Sequence, residues 1–326
     1  MLAPAQLPFA ALSTALKAAG ESTRLRILAL LADAELTVTD LTDILRQSQP
    51  RISRHLKLLA EAGLVERFPE GTWAFFKLAE HGGGAEVARS LVARLDASDA
   101  TIARDRERLI SVRAARAAAA LAYFRRHAAE WDRIRKLHVT DAAVEDAIRA
   151  ALAGKPFRSL LDLGTGTGRM LELFGPDIER GLGLDFSLEM LAIARDRLER
   201  AKLKNCSVRQ GDIYDLALPK NSFDVVIIHQ VLHFLDDGAR AIREAAHVLR
   251  PGGRLLVVDF APHEQEFLRE KYAHRRLGFA PEAVTQWMEA AGLEQTMHKS
   301  LPPEKGSDGK IAVSLWLARD PRMEIA

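Results

Sequence analysis

Three stretches of this chain carry residue types at spacings that could do chemistry. The first is Ser159-Leu160-Leu161-Asp162-Leu163-Gly164-Thr165-Gly166-Thr167-Gly168-Arg169-Met170-Leu171, a short apolar strand that ends in a glycine-rich turn and opens a helix. Glycines let a ligand approach the backbone closely, and the N–H groups of a helix's first turn attract an anion. The GxGxG spacing differs from the GxGxxG of dinucleotide binders. Downstream, Gly181-Leu182-Gly183-Leu184-Asp185 ends a second strand in an acid about 20 residues on, where a ribose diol is gripped. Val208-Arg209-Gln210-Gly211-Asp212-Ile213 ends a third in Asp212, placed to accept from an adenine amino group. A fourth apolar run, Ser222–Ile228, is followed by His229 and His233.

The second stretch lies near the N-terminus. Residues Thr37–Leu45 place Val38, Leu41, Ile44 and Leu45 on one helix face, and Arg46-Gln47-Ser48 breaks the pattern. Ser48 can cap a second helix from Gln49 to about Ala62, with Pro50 near its start, where a missing N–H costs least. Ile52, Leu56 and Leu59 hold core spacing, which leaves Gln49, Arg51, Ser53, Arg54, His55 and Lys57 facing outward. Arginine reads guanine O6/N7 with two hydrogen bonds and glutamine pairs with adenine N6/N7. No acid occurs from Arg46 through Ala60. Two short helices joined by a tight turn form a helix-turn-helix, whose second helix fits the DNA major groove. Gly63 stops that helix, and strands Leu64–Phe68 and Trp73–Leu78 around Pro69-Glu70-Gly71-Thr72 form a wing, with Arg67 and Lys77 where phosphates would pass. A helical protein-interaction module without DNA contact is the competing reading.

The third stretch is a helical connector rich in Ala and Arg, over residues 85–150, set off by the breaker His81-Gly82-Gly83-Gly84. From Arg104 to Lys136 it carries Arg104, Arg106, Arg108, Arg113, Arg116, Arg125, Arg126, Arg133, Arg135 and Lys136 against Asp105, Glu107, Glu130 and Asp132. Either it is a basic arm for DNA phosphates or an acidic partner, or it is a solvated helix face.

The whole chain must position these groups. Its 326 residues suffice for two or three domains, and 48% hydrophobic with 28% charged residues excludes global disorder. Residues 10–80 read as short amphipathic helices and a hairpin, and 155–320 as alternating strands and helices, the rhythm of a parallel sheet. The division expected is 1–110 for DNA binding and dimerisation, 111–150 for a helical connector and cofactor cap, and 151–326 for the ligand-binding α/β domain. The formal charge of +2 announces no partner by itself, so the local basic strip must carry that argument. One cysteine, Cys206, excludes an intrachain disulfide framework and any Cys-built zinc site, and reads as a small buried hydrophobe. No apolar run reaches the 18 or so residues of a membrane span, and Met1–Gly20 lacks a basic n-region, so a cytoplasmic protein without membrane contact is expected.

Residues from about 12 to 80 resemble the ArsR/SmtB family of bacterial transcriptional repressors through Glu21-Ser22-Thr23-Arg24-Leu25-Arg26-Ile27-Leu28, Ser48-Gln49-Pro50-Arg51-Ile52-Ser53-Arg54-His55-Leu56-Lys57-Leu58-Leu59 and Ala62-Gly63-Leu64-Val65. The resemblance implies a homodimer on a palindromic double-stranded DNA operator, paired through residues about 9–18 and 85–110. Metal-sensing members carry cysteines in the motif that here reads Glu35-Leu36-Thr37-Val38-Thr39-Asp40, and a hydroxyl is a poor soft-metal ligand. No metal is therefore expected, and another signal must be read.

Residues from about 120 to 320 look like a class I S-adenosylmethionine-dependent methyltransferase of the small-molecule type. The expected fold is thus a winged helix-turn-helix followed by a Rossmann-like, seven-stranded α/β methyltransferase fold. The resemblance implies that Gly164, Gly166 and Gly168 line the methionine portion of S-adenosylmethionine or S-adenosylhomocysteine, with Asp162 near its amino group. Asp185 would hold the ribose hydroxyls, Asp212 and the Ile213 amide would bracket adenine, and His229 would face the methyl acceptor, as cofactor contact or catalyst. Tyr123, Phe124 and Trp131 would close over the cofactor. Arsenic methyltransferases share this fold but need several cysteines, which excludes arsenite as acceptor. Two functions follow: a repressor whose methyltransferase-like domain senses the nucleoside ligand as a small-molecule effector, possibly over methionine-cycle genes, or a working small-molecule methyltransferase with a DNA-binding domain attached.

Overall fold

The computed structural model describes residues 6–70, 72–128, 141–303 and 311–323. Two compact units divide the chain, Met1–Ala118 and Ala119–Ala326.

The first unit contains α1 (Phe9–Ala19), α2 (Ser22–Asp33), β1 (Leu36–Thr37), α3 (Val38–Leu45), α4 (Gln49–Glu61), β2 (Val65–Glu70), β3 (Trp73–Leu78), α5 (Gly82–Val92) and the first part of α6 (Ala100–His127). The apolar positions expected of the helix pair, Leu41, Ile44, Leu45, Ile52, Leu56 and Leu59, are buried in one core with Ile27, Leu28, Leu30 and Leu31 of α2. Thr37, one of the hydroxyls standing where a metal sensor has a thiolate, is instead the N-cap of α3. Its side chain accepts from the Asp40 amide at 3.2 Å, and Asp40 Oδ2 accepts from the Thr37 amide at 2.9 Å. Arg46 takes a left-handed conformation to make the turn, and the wing strands pair antiparallel from Val65↔Leu78 to Glu70↔Trp73.

Two expectations for the connector are corrected. The glycine run 82–84, expected as a breaker ahead of the helical stretch, instead forms the first turn of α5, where it packs closely: a Cβ on Gly84 would lie 2.3 Å from the Gly63 carbonyl oxygen. The interruption falls at residues 93–99, after which the Asp99 carboxylate accepts from the Thr101 amide at 2.8 Å and starts α6. The basic face of α6 is neither a free arm nor wholly solvated. Arg26 of α2 grips Asp105 through two bonds of 2.6 and 2.7 Å, Arg106 pairs with Asp33 at 2.8 Å, Arg108 donates to the Ile44 carbonyl at 3.1 Å, and Arg116 pairs with Asp40. These arginines clasp the helices beneath them.

The second unit takes in the end of α6, then α7 (Asp141–Leu152), β4 (Ser159–Leu163), α8 (Arg169–Phe174), β5 (Arg180–Asp185), α9 (Leu188–Arg200), β6 (Cys206–Gln210), β7 (Phe223–His229), α10 (Gly238–Val248), β8 (Leu249–Phe260), α11 (Phe267–Tyr272), α12 (Pro281–Ala290), β9 (Glu294–Leu301) and β10 (Val313–Arg319). One seven-stranded sheet has the order β6-β5-β4-β7-β8-β10-β9. The first five strands are parallel, and β10 runs antiparallel to both β8 and β9. The central strands are apolar on both faces, as a sheet covered on both sides requires. Leu160, Val225, Ile227, Leu256 and Val258 pack with Ile148, Leu171, Leu191 and Leu198 on one side. Leu161, Leu163, Val226, Ile228, Leu255 and Val257 pack with Ile242, Ala245, Val284 and Met288 on the other. Strand order reverses between β4 and β7, and ligands of such sheets bind beyond the carboxyl ends of the strands at that switch point. Among the described residues no helix is long and apolar enough to cross a membrane.

Candidate functional site

The loop after β4 is built around glycines in left-handed conformation. Gly164, Gly166 and Gly168 have φ of 70°, 52° and 84°. The amides of Gly164 and Thr165 both donate to the Leu184 carbonyl, at 2.8 and 2.9 Å, which ties the loop to the end of β5. A Cβ on Gly164 would stand 2.4 Å from Val231 Cγ2, so the segment after β7 lies directly against this loop. Asp162 is buried, and the Thr165 hydroxyl donates to its Oδ2 at 2.6 Å. Asp162 thereby braces the turn from below.

Asp185, at the end of β5, accepts the Gly166 amide on Oδ2 and the Ser187 amide on Oδ1, both at 2.8 Å. Burial pushes its carboxyl above the usual range, against the pull of those amides. The Gly211 amide donates to the Asp185 carbonyl at 3.1 Å, which brings the end of β6 alongside, and Asp212 Oδ1 accepts from the Tyr214 amide at 2.8 Å to close a turn around Ile213. The three glycines and the acids Asp185 and Asp212 therefore share one edge of the sheet. A narrow glycine cradle beside a strand-end carboxylate fits a nucleoside bearing a small zwitterion: the loop admits close backbone approach, and the carboxylate accepts from a diol.

In the first unit, Gln49, Arg51, Ser53, Arg54 and Lys57 are exposed on α4 as expected. His55 is not. It turns inward with 9% exposure, its Nδ1 stands 3.7 Å from Glu21 Oε2, and neither ring nitrogen has a hydrogen-bond partner. Burial lowers its pKa, and the guanidinium groups of Arg24, Arg51 and Arg54 add to that, while Glu21 opposes. With Leu56 and Leu59 on the core side, position 55 falls at the edge of the apolar stripe rather than on the outer face. Arg67 is exposed on β2, but Lys77 is engaged, 2.6 Å from Glu80, 4.0 Å from Glu66 and over the Phe68 ring at 4.7 Å.

Residues 21–67 match the family model described as bacterial regulatory protein, arsR family, and residues 161–257 match that of a methyltransferase domain. The chain joins an arsR-family DNA-binding domain to a methyltransferase domain. Over 115 residues it is 32% identical to an uncharacterized methyltransferase, YcgJ, of Bacillus subtilis, covering 35% of this chain and 46% of that protein. Over 105 residues it is 37% identical to a demethylmenaquinone methyltransferase of Listeria welshimeri, covering 31% of this chain and 44% of that protein. The chain thus spans less than half the length of these relatives. Among solved structures, a chain of the Haloferax volcanii complex between the Trm112 methyltransferase activator and a methyltransferase shares the fold, with a TM-score of 0.51 and 22% identity over 63% of this chain and 99% of that one.

Further along the carboxyl edge of the sheet, His229 is half-buried at the end of β7, in register with Val258. His233, four residues on, is 2% exposed and bonded through Nδ1 to Asp259 Oδ1 at 2.7 Å. The end of α6 lies along the same edge. Arg125 Nε bonds Glu189 Oε1 at 2.7 Å beside the Asp185 loop, and the Phe124 and Phe234 rings meet at 4.9 Å. Tyr123 meets Tyr272 at 6.3 Å and Phe124 meets Phe234, and Trp131 lies outside the described residues. Sequence reasoning missed Asp259, Thr165 and Glu189. Asp259 ends the apolar run Leu255-Leu256-Val257-Val258, and an acid closing a buried strand is the signal that could have found it.

Proposed function

We propose that this chain is a DNA-binding transcriptional regulator whose methyltransferase domain takes S-adenosylmethionine or S-adenosylhomocysteine, with that ligand as effector. The observation that carries the reading is the closure of the glycine loop on Asp185: the Gly166 amide and the strand-end carboxylate meet at 2.8 Å, where a ribose and an amino-acid tail would lie side by side. Gly164, Gly166 and Gly168 would line the amino-acid portion, Asp185 would take the ribose hydroxyls, and Asp212 with the Ile213 amide would flank adenine. When bound, S-adenosylmethionine supplies an activated methyl group. Gln49, Arg51, Ser53, Arg54 and Lys57 would meet the major groove, with Arg67 on the wing touching backbone.

Two further features support the reading. Helix α6 contributes to both units: Arg108 and Arg116 bond α3, while Phe124 meets Phe234 and Arg125 bonds Glu189, so a ligand that orders the end of α6 would act on an element the DNA-binding domain shares. Helix α1 exposes Phe9 (89%), Leu12 (39%) and Leu16 (48%) on one face, which supports pairing of two copies through it on a palindromic operator.

The test pairs calorimetry of both ligands with DNA binding by the full chain, on a fragment selected from random sequence. The effector reading predicts that S-adenosylhomocysteine changes DNA affinity by roughly 5–150-fold, the span of typical allosteric coupling. Unchanged DNA affinity with saturated ligand sinks it. The second reading, an active methyltransferase with a DNA-binding domain attached, is favoured by the buried His233–Asp259 pair beside the cleft.

A further inference from the structure

The chain is poor in aromatic residues, yet many of its rings gather at one place. Two of its three tyrosines, Tyr123 and Tyr272, stand with Phe124, Phe234, Phe260 and His274 around His233. Centroid distances run from 4.2 Å for His233–His274 through 4.9 Å for Phe124–Phe234 to 6.3 Å for Tyr123–Tyr272. Phe234 also meets His274 at 5.1 Å, which makes the group continuous. It lies beyond the carboxyl ends of β7 and β8, and the Val231 contact with Gly164 sets it against the glycine loop.

Two polar atoms are placed within this ring wall. The Tyr123 hydroxyl belongs to a residue only 7% exposed and has no hydrogen-bond partner. Burial pushes its pKa up to about 12, so it stays a neutral hydroxyl. The second is His233 Nε2. Nδ1 of that ring stands 2.7 Å from Asp259 Oδ1, and a carboxylate there favours the tautomer with its proton on Nδ1 and its lone pair on Nε2. Among the described residues nearby, Arg275 pairs with Asp236 and Arg269 with Glu266 at 3.0 Å. A carboxylate or ammonium acceptor would therefore displace an existing pair, whereas a neutral flat molecule would not.

We propose that this cluster is the methyl-acceptor site for a neutral aromatic hydroxyl compound, with His233 as the catalytic base. The proposal rests on the reading that S-adenosylmethionine occupies the adjacent cleft. A phenol suits the base, since its O–H ionises near pH 10 while water's requires nearly 16. His233 Nε2 takes the phenolic proton. The phenolic oxygen then bonds the methyl carbon as that carbon's bond to sulfur breaks, leaving a neutral thioether and an imidazolium that gives its proton to solvent. Tyr123 donates to the acceptor's phenolic oxygen and orients it, and Asp259 is a positioning residue that holds the His233 tautomer.

The test uses the full chain with 1-naphthol and, as the match lacking a hydroxyl, naphthalene. With the protein saturated in S-adenosylhomocysteine, 1-naphthol binds about tenfold tighter than naphthalene, and Tyr123→Phe removes most of that difference. With S-adenosylmethionine, 1-methoxynaphthalene forms. His233→Gln lowers kcat by at least about 100-fold while 1-naphthol binding persists. Asp259→Asn lowers kcat at unchanged KM, and Asp259→Glu restores part of it. Calorimetry separates the two levels: if S-adenosylhomocysteine fails to bind, the cofactor reading falls and takes this proposal with it. If it binds and 1-naphthol does not, the acceptor site alone is overturned. Binding of 1-naphthol without transfer, or full turnover in His233→Gln, overturns the catalytic assignment.

Discussion

The Gly166 amide donates to Asp185 Oδ2 across 2.8 Å, and Ser187 donates to the other oxygen of the same carboxylate at the same distance. One side chain therefore both shapes the glycine loop and presents the strand-end acid. Asp185→Ala removes the loop's anchor together with the carboxylate proposed to take a ribose diol. It should weaken S-adenosylhomocysteine binding by about 100-fold or more in calorimetry, since each hydrogen bond to a charged group contributes about 1.5–3 kcal/mol. DNA binding of the ligand-free protein should survive. Its loss in a folded Asp185→Ala protein would mean instead that the liganded form is the one that binds DNA.

DNA binding separates residues that look alike in sequence. Arg54→Ala, on the exposed face of α4, should cost roughly 1–3 kcal/mol against the selected fragment and relax its sequence preference. Arg67→Ala should lower the salt slope of binding by about 1, the mark of one lost phosphate contact. Lys77→Ala should leave the slope in place, because Glu80 and Glu66 already hold that ammonium. A slope change in Lys77→Ala equal to that of Arg67→Ala would refute the distinction.

Packing at the glycine run makes a stability prediction. Gly84→Ala should destabilise the DNA-binding domain by about 1–3 kcal/mol in urea titration, because the new methyl meets the Gly63 carbonyl and the backbone must move. Gly154→Ala, where a Cβ meets nothing within 4 Å, serves as the control and should change little.

His55 gives α4 a pH dependence. Its pKa in the fold lies below its ordinary 6.5, so the unfolded chain binds the proton first as pH falls. Stability is therefore present above that value and lost as pH drops through it and below. Protection factors of α4 amides, taken against the intrinsic exchange rate at each pH, should fall from about pH 7.5 to about 5.5, and His55→Leu should flatten that change. An equal pH response in His55→Leu would place its cause elsewhere.

Periodicity and turn chemistry made most elements legible. The positions expected in the core of α3 and α4 are those buried, and the wing hairpin forms where alternation put it, although its first strand runs on to Glu70 and takes Pro69 and Glu70 out of the expected turn. At the sheet, runs such as Ser159–Leu163 and Phe223–His229 could be read as central strands because both of their faces are apolar. The glycine loop and Asp185 followed from spacing alone. The errors share a cause. Gly82-Gly83-Gly84 read as a breaker outside the helix, whereas it is the first turn of α5 packed on Gly63, which is distant in sequence. Lys77 and the arginines of α6 read as free cations because their partners, Glu80, Glu66, Asp33 and Asp40, are selected by folding rather than by local pattern.

Sequence by itself determined which chemistries this protein can attempt: a locally basic helix, a glycine loop with a strand-end acid, and too few cysteines for a Cys-built zinc site or an intrachain disulfide framework. Those properties live in residue type and short-range spacing, which the chain carries before it folds. Tertiary structure decided which groups are available and which act together. Asp259 lies 26 residues beyond His233 and Tyr123 lies 110 before it, yet Asp259 holds that imidazole and Tyr123 joins its ring cluster through Phe124 and Phe234. Parallel strands bring distant carboxyl ends to one edge, so the grouping of His233, Asp259 and Tyr123 exists only once the sheet has formed.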